Sequence, residues 1–320
     1  MTTVDADGNR LAVFQFQSEL APGDNITDYV TYYIRSKLRY IPNLSDKQSG
    51  TIGEIPVELQ ERFCGDQGFW MIDDPQIQDV AHGVVGSETK VLVIVEKLVA
   101  WMWTNIRYKS HDPPLYPNET LLYREGDCDE QAILFGTFCR ILDIPAYVQH
   151  GCIYSEEYHQ EGTSANGHIT YVSNQIGWHG WAIVYIPPWG WLPVDLTYVM
   201  GSYADPLNAI RKAAVTSQYT IQYTNVSQND YLASNRVYKN FLQENDLYLY
   251  IMDEMWERDA FLGDLNGDGV VDLRDITFVA LAFGSKPGDE NWNEVADLND
   301  DEVIDIRDIT IVAIEFGKTA

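Results

Sequence analysis

Residues 125–140, EGDCDEQAILFGTFCR, place Cys128 between two aspartates at what we predict to be the start of a helix running from about Asp127 to Leu142. Asp127 fits the N-cap, and Glu130, three residues on, completes a capping box. Cys128 then occupies the first helical turn, where unpaired N–H groups and the helix dipole favour a thiolate. The dipole contributes only ~0.3–1 kcal/mol, whereas lowering a thiol pKa by two units takes about 2.7 kcal/mol. We therefore expect a histidine to supply the remainder.

Among the six histidines, His179 has the most favourable setting. It opens an aromatic and β-branched run that a PPWG turn joins to a second such run, which is the pattern of a β-hairpin. Asp195 lies sixteen residues after His179, on the predicted return strand. Two antiparallel strands can bring the two side chains together, so the sequence predicts a nucleophile on a helix, a base on a strand and an orienting acid on the next strand.

The segments GDCDEQAILFGTFCRILDIPAYVQHG and HGWAIVYIPPWGWLPVDLTY are similar to the transglutaminase-like core of the papain-type fold. The glycine and acid before the cysteine, the IPA exit, the histidine with tryptophan two residues on, and the PVD aspartate carry this resemblance over residues 88–200. It implies that Cys128 is the nucleophile, His179 the base and acid, Asp195 the residue that orients the histidine, and Trp181 a wall of the substrate site.

The reaction that the resemblance implies is thiol-dependent acyl transfer on a protein or peptide substrate. Water as the acceptor would give a peptidase or amidase, which we favour, and a lysine amine would give a transglutaminase crosslink. A different class of function, an inactive papain-like binding module, would keep the fold without the chemistry. The backbone N–H of Cys128 is a first oxyanion donor, and the sequence identifies no second one.

Flanking patterns indicate an α+β domain in which helices pack on an antiparallel sheet. Residues 87–108 predict a long buried helix capped by Ser87, and residues 217–226 contain another strand. We assign residues 87–260 to the catalytic core and residues 1–86 to a part of the same domain whose fold the sequence does not indicate.

The last 58 residues are a more acidic segment that contains a repeat. Residues 263–320 carry 14 acids against four bases, and DLNGDGVVDLRDIT at Asp264 recurs as DLNDDEVIDIRDIT at Asp297, an offset of 33. Oxygen-bearing residues fall at the spacing of a calcium loop, in which position 7 contributes a carbonyl oxygen. The predicted ligands of loop 1 are Asp264, Asn266, Asp268, Val270, Asp272 and Asp275, and those of loop 2 are Asp297, Asn299, Asp301, Val303, Asp305 and Asp308.

Both loops end in Asp where a full EF-hand has Glu, and each is followed by an apolar helix, so residues 263–320 resemble a type I dockerin, a small all-α calcium-binding module. The resemblance implies two Ca²⁺ ions, a cohesin partner, and an extracellular or cell-surface location. Arg274 and Arg307 stand at equivalent positions and are candidates for the docking face. Glu302 replaces the glycine of position 6, which predicts a strained and weaker second loop. We expect the apolar side chains of both helices, from Ile276 to Phe283 and from Ile309 to Phe316, to form its core.

The charge and apolar content of the chain exclude some other classes of function. A net charge of -27 disfavours nucleic acid and anionic membranes, and the longest apolar stretch is too short to span a bilayer. The first residues contain no apolar signal core, so either the protein is cytoplasmic or a leader was removed. The extracellular location that the dockerin resemblance implies favours a removed leader. Cys139 should pack in the core, while Cys64 and Cys152 are core thiols or a disulfide. A zinc site at His150, His159 and His168 is a weaker alternative, because their spacing matches no standard motif.

Overall fold

The computed structural model describes residues 2–14, 21–32, 34, 36, 39–66, 68–199, 202–257 and 261–319. The described residues fall into two compact units. The first lies within Met1–Leu20 and Ser36–Trp256, and the second within Ala21–Arg35 and Glu257–Ala320. In the described part of the chain, no helix has both the length and the apolar character that a membrane crossing requires.

The centre of the first unit is a five-stranded sheet. Its strands are β5 (Ala146–Ser164), β6 (Ile169–Ile186), β7 (Gly190–Val194), β8 (Thr220–Val226) and β9 (Leu249–Glu254). The strand order is β7-β6-β5-β8, and β9 pairs with the first residues of β6, from Ile169 to Asn174. All pairings in this sheet are antiparallel except that of β9 with β6. The predicted hairpin is confirmed, because β6 and β7 pair in register from Ala182 opposite Val194 to Ile186 opposite Gly190.

Helices cover one face of this sheet, as the sequence predicts. The remaining strands of the unit form two small two-stranded sheets, β1 with β2 and β3 with β4. Its helices are α1 (Val57–Phe63), α2 (Pro75–Val85), α3 (Val91–Asn105), α4 (Pro117–Tyr123), α5 (Cys128–Ile141), α6 (Asn208–Arg211) and α7 (Tyr231–Glu244). The additional strands are β1 (Thr2–Val4), β2 (Arg10–Ala12), β3 (Arg107–Tyr108) and β4 (Glu125–Gly126).

The main core lies between α2, α3 and α5 on one side and the sheet on the other. Along β6, Ala182, Val184 and Ile186 belong to this core, while Trp181 and Ile183 belong to a separate buried cluster. This division follows from the period of two of a β-strand, whose successive side chains point to opposite faces. Both sets are buried, so the sheet is covered on both faces at β6.

Helix α3 starts later than the sequence suggests. It begins at Val91 with Lys90 at the N-cap position, so the assignment of Ser87 as the cap is wrong. The Glu88 carboxylate instead accepts hydrogen bonds from the backbone N–H groups of Thr89 and Lys90, both at 2.9 Å. Such local bonds hold the residues before a helix in a turn, because the side-chain acceptor competes with helical hydrogen bonding.

Arg140, near the end of α5, connects three parts of the first unit. Its guanidinium donates to the carbonyl oxygens of Ala146 at 2.9 Å and Gly65 at 3.0 Å and to Ser227 Oγ at 2.8 Å. It also stacks on the ring of Trp70, 3.7 Å from the ring centroid. Burial lowers the pKa of Arg140 to about 9, because the charge lies in the interior with neutral acceptors as its hydrogen-bond partners.

The second unit contains α8 (Leu273–Ala282) and α9 (Ile306–Glu315), which follow the two acidic loops. Each helix is capped by the aspartate at loop position 9, Asp272 or Asp305, in a capping box with the aspartate three residues on. The two sequence repeats therefore form two structural repeats. A short 3-10 turn, Glu294–Ala296, precedes the second loop.

The core of the second unit differs in part from the predicted one. Val279 and Val312 are buried, but Leu281 and Ile314 are 74% and 75% exposed, and Phe283 and Phe316 are half exposed. The expectation was wrong for these four because only one side of each helix faces the core. Ala282, at the end of α8, is also buried, and the other buried members come from the loops and linking segments, namely Leu265, Val271, Ala296, Leu298 and Ile304.

The contacts of Arg140 predict a large loss of stability in Arg140→Lys. A lysine keeps the charge, but its three N–H donors sit on one compact nitrogen and cannot replace the planar guanidinium, which reaches these acceptors from three separate nitrogens and stacks on Trp70. We expect the free energy of unfolding to fall by about 3 kcal/mol, measured by urea denaturation of the full chain with far-UV circular dichroism. Arg62→Lys, at an exposed site on α1, is the matched control and should change it by less than about 0.5 kcal/mol. Equal effects of the two variants would contradict this role for Arg140.

Candidate active site and candidate metal loops

Cys128 lies at the first residue of α5, as the sequence predicts. Asp127 is the N-cap and accepts from the Asp129 N–H at 3.1 Å, and Glu130 completes the capping box. Glu130 is buried, and its carboxylate accepts from the N–H groups of Asp127 and Leu115. Burial and the neighbouring Asp127 raise the pKa of Glu130 to about 8. Asp127 and Glu130 therefore stabilise the start of the helix through these backbone hydrogen bonds.

The backbone N–H of Gly180, the residue after His179, lies close enough to the Cys128 sulfur to act on its pKa, which it lowers. This contact brings the start of α5 against β6 next to the predicted base. Burial raises the pKa of Cys128 well above its usual value, and the carboxylates of Asp129 and Asp127 raise it further. The expectation that the helix start favours a thiolate is thus not met here, because desolvation and two anions outweigh the helix dipole.

His179 and Asp195 are brought together by the β6–β7 hairpin. The His179 Nε2 lies 2.9 Å from Asp195 Oδ2, so Nδ1 is the ring nitrogen left for a thiol. Asp195 comes directly after β7 rather than on it, and it is fully buried. Burial lowers the pKa of His179, but the charge of Asp195 and its hydrogen bond raise it more, and the pKa is raised overall.

Three backbone N–H groups hold the Asp195 carboxylate in place. Oδ1 accepts from Tyr198 at 2.9 Å and from Thr197 at 3.2 Å, and Oδ2 accepts from Ala214 at 3.0 Å. These bonds hold the Asp195 carboxylate in one orientation, with Oδ2 next to His179 Nε2.

Trp181 lies two residues after His179 and is fully buried. Its indole N–H donates to Gln149 Oε1 at 3.1 Å, and the rings of His179 and Trp181 are 5.7 Å apart. Trp181 thus packs beside the histidine from the interior. The other cysteines are free thiols, with Cys139 and Cys152 buried and Cys64 partly buried, so the disulfide alternative for Cys64 and Cys152 is not what the structure contains.

Several groups near Cys128 escaped the sequence analysis. Tyr108 pairs with Gly126 in the β3–β4 sheet, and its hydroxyl lies within electrostatic range of Cys128. Asp129, His150 and Tyr231 meet next to the cysteine sulfur. One signal was present in the sequence, since a glycine inside a strand, here Gly180 between His179 and Trp181, marks a close approach of another chain segment.

The three histidines of the zinc alternative have separate partners. His150 lies 3.5 Å from Asp129, His159 Nδ1 bonds Asn174 Oδ1 at 2.7 Å, and His168 Nδ1 bonds the Leu247 carbonyl at 2.9 Å. Across the part of the chain that the structure describes, no group of three or more His, Cys, Asp and Glu side chains is arranged to hold a metal ion. The described residues of the acidic loops are included in this absence.

The two acidic loops nevertheless share one folded arrangement. The first aspartate of each loop, Asp264 or Asp297, accepts from the backbone N–H of position 6 at 2.9 or 3.0 Å. The last aspartate, Asp275 or Asp308, is fully buried and accepts from the N–H of position 2 at 2.8 Å. These bonds curl each loop around its own carboxylates.

Positions 3 and 5 of each loop also turn inward through local hydrogen bonds. Asn266 and Asn299 accept from the N–H of position 5, and Asp268 and Asp301 accept from the N–H of position 7, which belongs to Val270 or Val303. Arg274 pairs with Asp268, and Arg307 pairs with Asp301. A guanidinium therefore neutralises position 5 of each loop in this conformation.

The backbone of the two loops agrees at the positions that need a left-handed conformation. Loop 1 places Gly267 and Gly269 at φ values of 71° and 88°, and loop 2 places Asp300 and Glu302 at 57° and 62°. The predicted positive φ of Glu302 is confirmed, and Asp300 is a second such position that the sequence analysis missed. A side chain in this region costs free energy that glycine avoids.

Comparison with known proteins gives the class of each part. Residues 78–196 match the transglutaminase-like superfamily, and residues 262–316 match the type I dockerin domain. The chain therefore carries a transglutaminase-like domain of mixed α and β structure followed by a type I dockerin domain. No curated protein matches the chain.

Solved structures resemble this chain only weakly. A candidate cysteine protease of Cytophaga hutchinsonii is 19% identical over 57% of each chain, with a TM-score of 0.36. A type II cohesin-dockerin domain from Bacteroides cellolosolvens is 43% identical over 20% of this chain and 95% of that one, with a TM-score of 0.17. Red sea bream transglutaminase is 12% identical over 51% and 38% of the two chains, with a TM-score of 0.33. This chain spans just over half of the Cytophaga protein, and none of these likenesses assigns it a reaction.

The pairing of His179 with Asp195 predicts the effect of Asp195→Asn on the histidine. Removing the carboxylate leaves burial as the main influence, so the pKa of His179 should fall below the ordinary histidine value of about 6.5. Histidine ring signals in NMR spectra of the full chain measure this directly. His168, which contacts Leu247 and Tyr248, is the internal control and should not move. An unchanged His179 pKa would show that Asp195 is not its charge partner.

Proposed function

We propose that the transglutaminase-like domain is a cysteine-dependent peptidase or amidase that acts through a thioester on Cys128. The observation that supports this most is the bond of His179 Nε2 to the buried Asp195, together with the effect of the Gly180 N–H, one residue after His179, on the Cys128 sulfur. A nucleophile, a base and an orienting acid at these positions would supply the groups that acyl transfer requires.

In the proposed mechanism, the Cys128 S–H proton passes to His179 Nδ1 while the sulfur attacks the amide carbonyl carbon. The carbonyl π pair moves to the oxygen, and the collapse of this intermediate breaks the C–N bond. The imidazolium gives its proton to the leaving amine nitrogen, and Asp195 stabilises the cation in between. Water then attacks the thioester with His179 as the base, which releases the acid and restores the thiol.

Two groups are placed to stabilise the oxyanion. The Cys128 backbone N–H lies in the first turn of α5, where helix geometry leaves N–H groups without helical partners. The Tyr108 hydroxyl is the second candidate, because it lies within electrostatic range of the Cys128 sulfur. Burial around the hydroxyl and the neighbouring Cys128 and Asp127 raise the pKa of Tyr108, although the residue as a whole is exposed, so the phenol stays protonated and able to donate.

Water is the acceptor that the surroundings of Cys128 favour. Tyr108 is 65% exposed, and Asp129 is partly exposed, so solvent reaches the rim of the site. A charged and hydrated rim suits hydrolysis of the thioester, whereas transfer to a lysine amine competes with this water. We therefore place hydrolysis before crosslinking for this domain.

A screen of peptide products tests this proposal. The full chain is incubated with a peptide library, with and without a primary amine, and the products are identified by mass spectrometry. Hydrolysed peptides that disappear in Cys128→Ala and persist in Cys64→Ala are the expected result, with His179→Ala reducing the rate by about 10²–10⁴-fold. Amine adducts in place of acids would show a transglutaminase. Products unaffected by Cys128→Ala would overturn the proposed nucleophile.

We propose further that the dockerin domain binds two Ca²⁺ ions and attaches the enzyme to a cohesin outside the cell. Asp and Asn oxygens at positions 1, 3, 5 and 12 are the donors that Ca²⁺ prefers. Asp264 Oδ1 supports the fit, because it is a buried oxygen without a hydrogen-bond partner among the described residues. Bound Ca²⁺ would supply the positive charge that Arg274 and Arg307 now give to position 5. The millimolar calcium of extracellular fluid would fill even weak loops.

Exposed side chains that repeat along α8 and α9 fit a cohesin-docking face. Leu273 and Leu281 on α8 have the counterparts Ile306 and Ile314 on α9, and all four are exposed. Arg274 and Arg307 stand next to the first member of each pair and are the proposed polar contacts. Exposed apolar side chains beside an arginine are typical of a protein–protein interface.

The loop conformations predict that glycine at position 6 of the second loop strengthens calcium binding. Glu302→Gly removes the cost of a left-handed side-chain residue, about 1 kcal/mol, which corresponds to roughly fivefold tighter binding. Calorimetric titration of the full chain with Ca²⁺ measures the weaker of the two sites. Glu294→Gln, an acid outside both loops, is the control for the change in charge. A weaker site that Glu302→Gly leaves unchanged would contradict strain at this position.

A further inference from the structure

Asp129, the residue after Cys128, points back at the cysteine sulfur. Its Oδ1 lies 3.6 Å from Cys128 Sγ and 3.5 Å from His150 Nε2. Its Oδ2 accepts a hydrogen bond from the Tyr231 hydroxyl at 3.3 Å. The thiol, the carboxylate and His150 therefore form a second chain of titratable groups, separate from the one through His179 and Asp195.

The fold holds this carboxylate in place from two sides. A Cβ at residue 180 would lie 2.2 Å from Asp129 Oδ1, so only glycine lets the carboxylate lie on β6. His150 is paired with Gly180 in the sheet register, which brings its ring beside the same oxygen. The Tyr231 ring is edge-on to His150, with centroids 5.0 Å apart, and it fixes the other oxygen.

Groups from several elements determine the charge around the thiol. Those that face Cys128 or Asp129 are Asp127 before α5, Tyr108 on β3, His150 and Tyr158 on β5, His179 on β6, Asp195 after β7 and Tyr231 on α7. Burial raises the pKa of Tyr108, Tyr158 and Tyr231, so these phenols stay neutral. Asp129 is the carboxylate in direct contact with the sulfur.

We infer that Asp129 is a positioning residue that accepts the Cys128 S–H and keeps the cysteine in its neutral thiol form until substrate binds. A thiol donates to a carboxylate, whereas a thiolate is repelled by it. This inference rests on the proposed role of Cys128 as the nucleophile. When a carbonyl group reaches the sulfur, the S–H turns from Asp129 to His179 Nδ1, and the proton is transferred as the C–S bond forms.

The arrangement has a chemical consequence for the resting enzyme. A thiolate reacts readily with oxidants and disulfides, and a neutral thiol does not. An enzyme that forms its thiolate only during attack on substrate keeps its nucleophile in an oxidising extracellular medium. The two aspartates beside the cysteine then have different tasks, since Asp127 caps the helix and Asp129 holds the thiol proton.

The test is the pH dependence of Cys128 alkylation in the full chain. Asp129→Asn keeps the size of the side chain and removes its charge. We expect the midpoint of iodoacetamide labelling, followed on the Cys128 peptide by mass spectrometry, to fall by about one pH unit, with about tenfold faster labelling at neutral pH. Glu161→Gln makes the same change in net charge on the exposed arm of β5 and should leave the midpoint unchanged.

A second variant disturbs the same contact without touching the charge. In Gly180→Ala the new methyl group displaces the Asp129 carboxylate from the sulfur, so the labelling midpoint should again fall. A thermal melt of each variant reports whether it is folded. If Gly180→Ala is not folded, the labelling midpoint of Asp129→Asn alone decides whether Asp129 keeps the thiol neutral. A midpoint that Asp129→Asn leaves in place, or that Glu161→Gln shifts as far, overturns the inference.

These outcomes are separate from those of the proposed function. Labelling follows the state of the thiol and requires no turnover, so the midpoint can shift in a protein without peptidase activity. In that case the proposed function fails while Asp129 keeps its role. Peptide products that depend on Cys128, together with an unchanged midpoint in Asp129→Asn, would give the opposite result.

Discussion

The candidate active site depends on one close contact, that of the first turn of α5 with residue 180 of β6. At this position a Cβ would lie 2.2 Å from the Asp129 carboxylate, so any side chain larger than hydrogen would push the helix or its aspartate away. The same contact brings the Gly180 N–H close enough to the Cys128 sulfur to influence its pKa. His179 precedes Gly180 directly, so the backbone of the predicted base lies at the start of α5, although the cysteine and the histidine are 51 positions apart in sequence.

Acidic side chains stabilise local structure in both units by accepting hydrogen bonds from backbone N–H groups. In the first unit, Asp127 and Glu130 satisfy the free N–H groups at the start of α5, and Asp195 accepts three backbone N–H bonds while it holds His179. In the second unit, Asp275 and Asp308 do the same inside the two loops. The large negative charge of the chain is thus not only a property of its surface, because many of these carboxylates accept backbone hydrogen bonds.

The two loops of the second unit show how one backbone can be built from different residues. Glycine occupies both left-handed positions in loop 1, and Asp300 and Glu302 occupy them in loop 2. The surrounding hydrogen bonds are the same in kind, from the first aspartate to the N–H of position 6 and from the last to the N–H of position 2. The fold of the unit therefore determines the backbone conformation of both loops, and loop 2 is strained because it adopts this conformation without glycine.

The sequence by itself determined the features that depend on short-range order. Residues 127–142 carried the cap, the capping box and the helix, the PPWG turn fixed the hairpin that joins His179 to Asp195, and the 33-residue offset defined the two loops. Local sequence patterns predict a helix boundary less well where side chains compete for the backbone N–H groups. Ser87 is an example, because Glu88 accepts the N–H groups of Thr89 and Lys90 and the helix begins only at Val91. Helix patterns also overstated the core of the second unit, because a pattern does not show which side of a helix is covered.

Only the tertiary structure decided the electrostatic surroundings of Cys128. A helix start favours a thiolate when it is considered alone, but the fold buries this one and places Asp129 and Asp127 against it, and the pKa rises. Asp129, His150 and Tyr231 come from three distant segments that meet because β5 and β6 pair in one register and α7 packs beside them. Charge and burial act through distances in space, and no pattern along the chain records those distances.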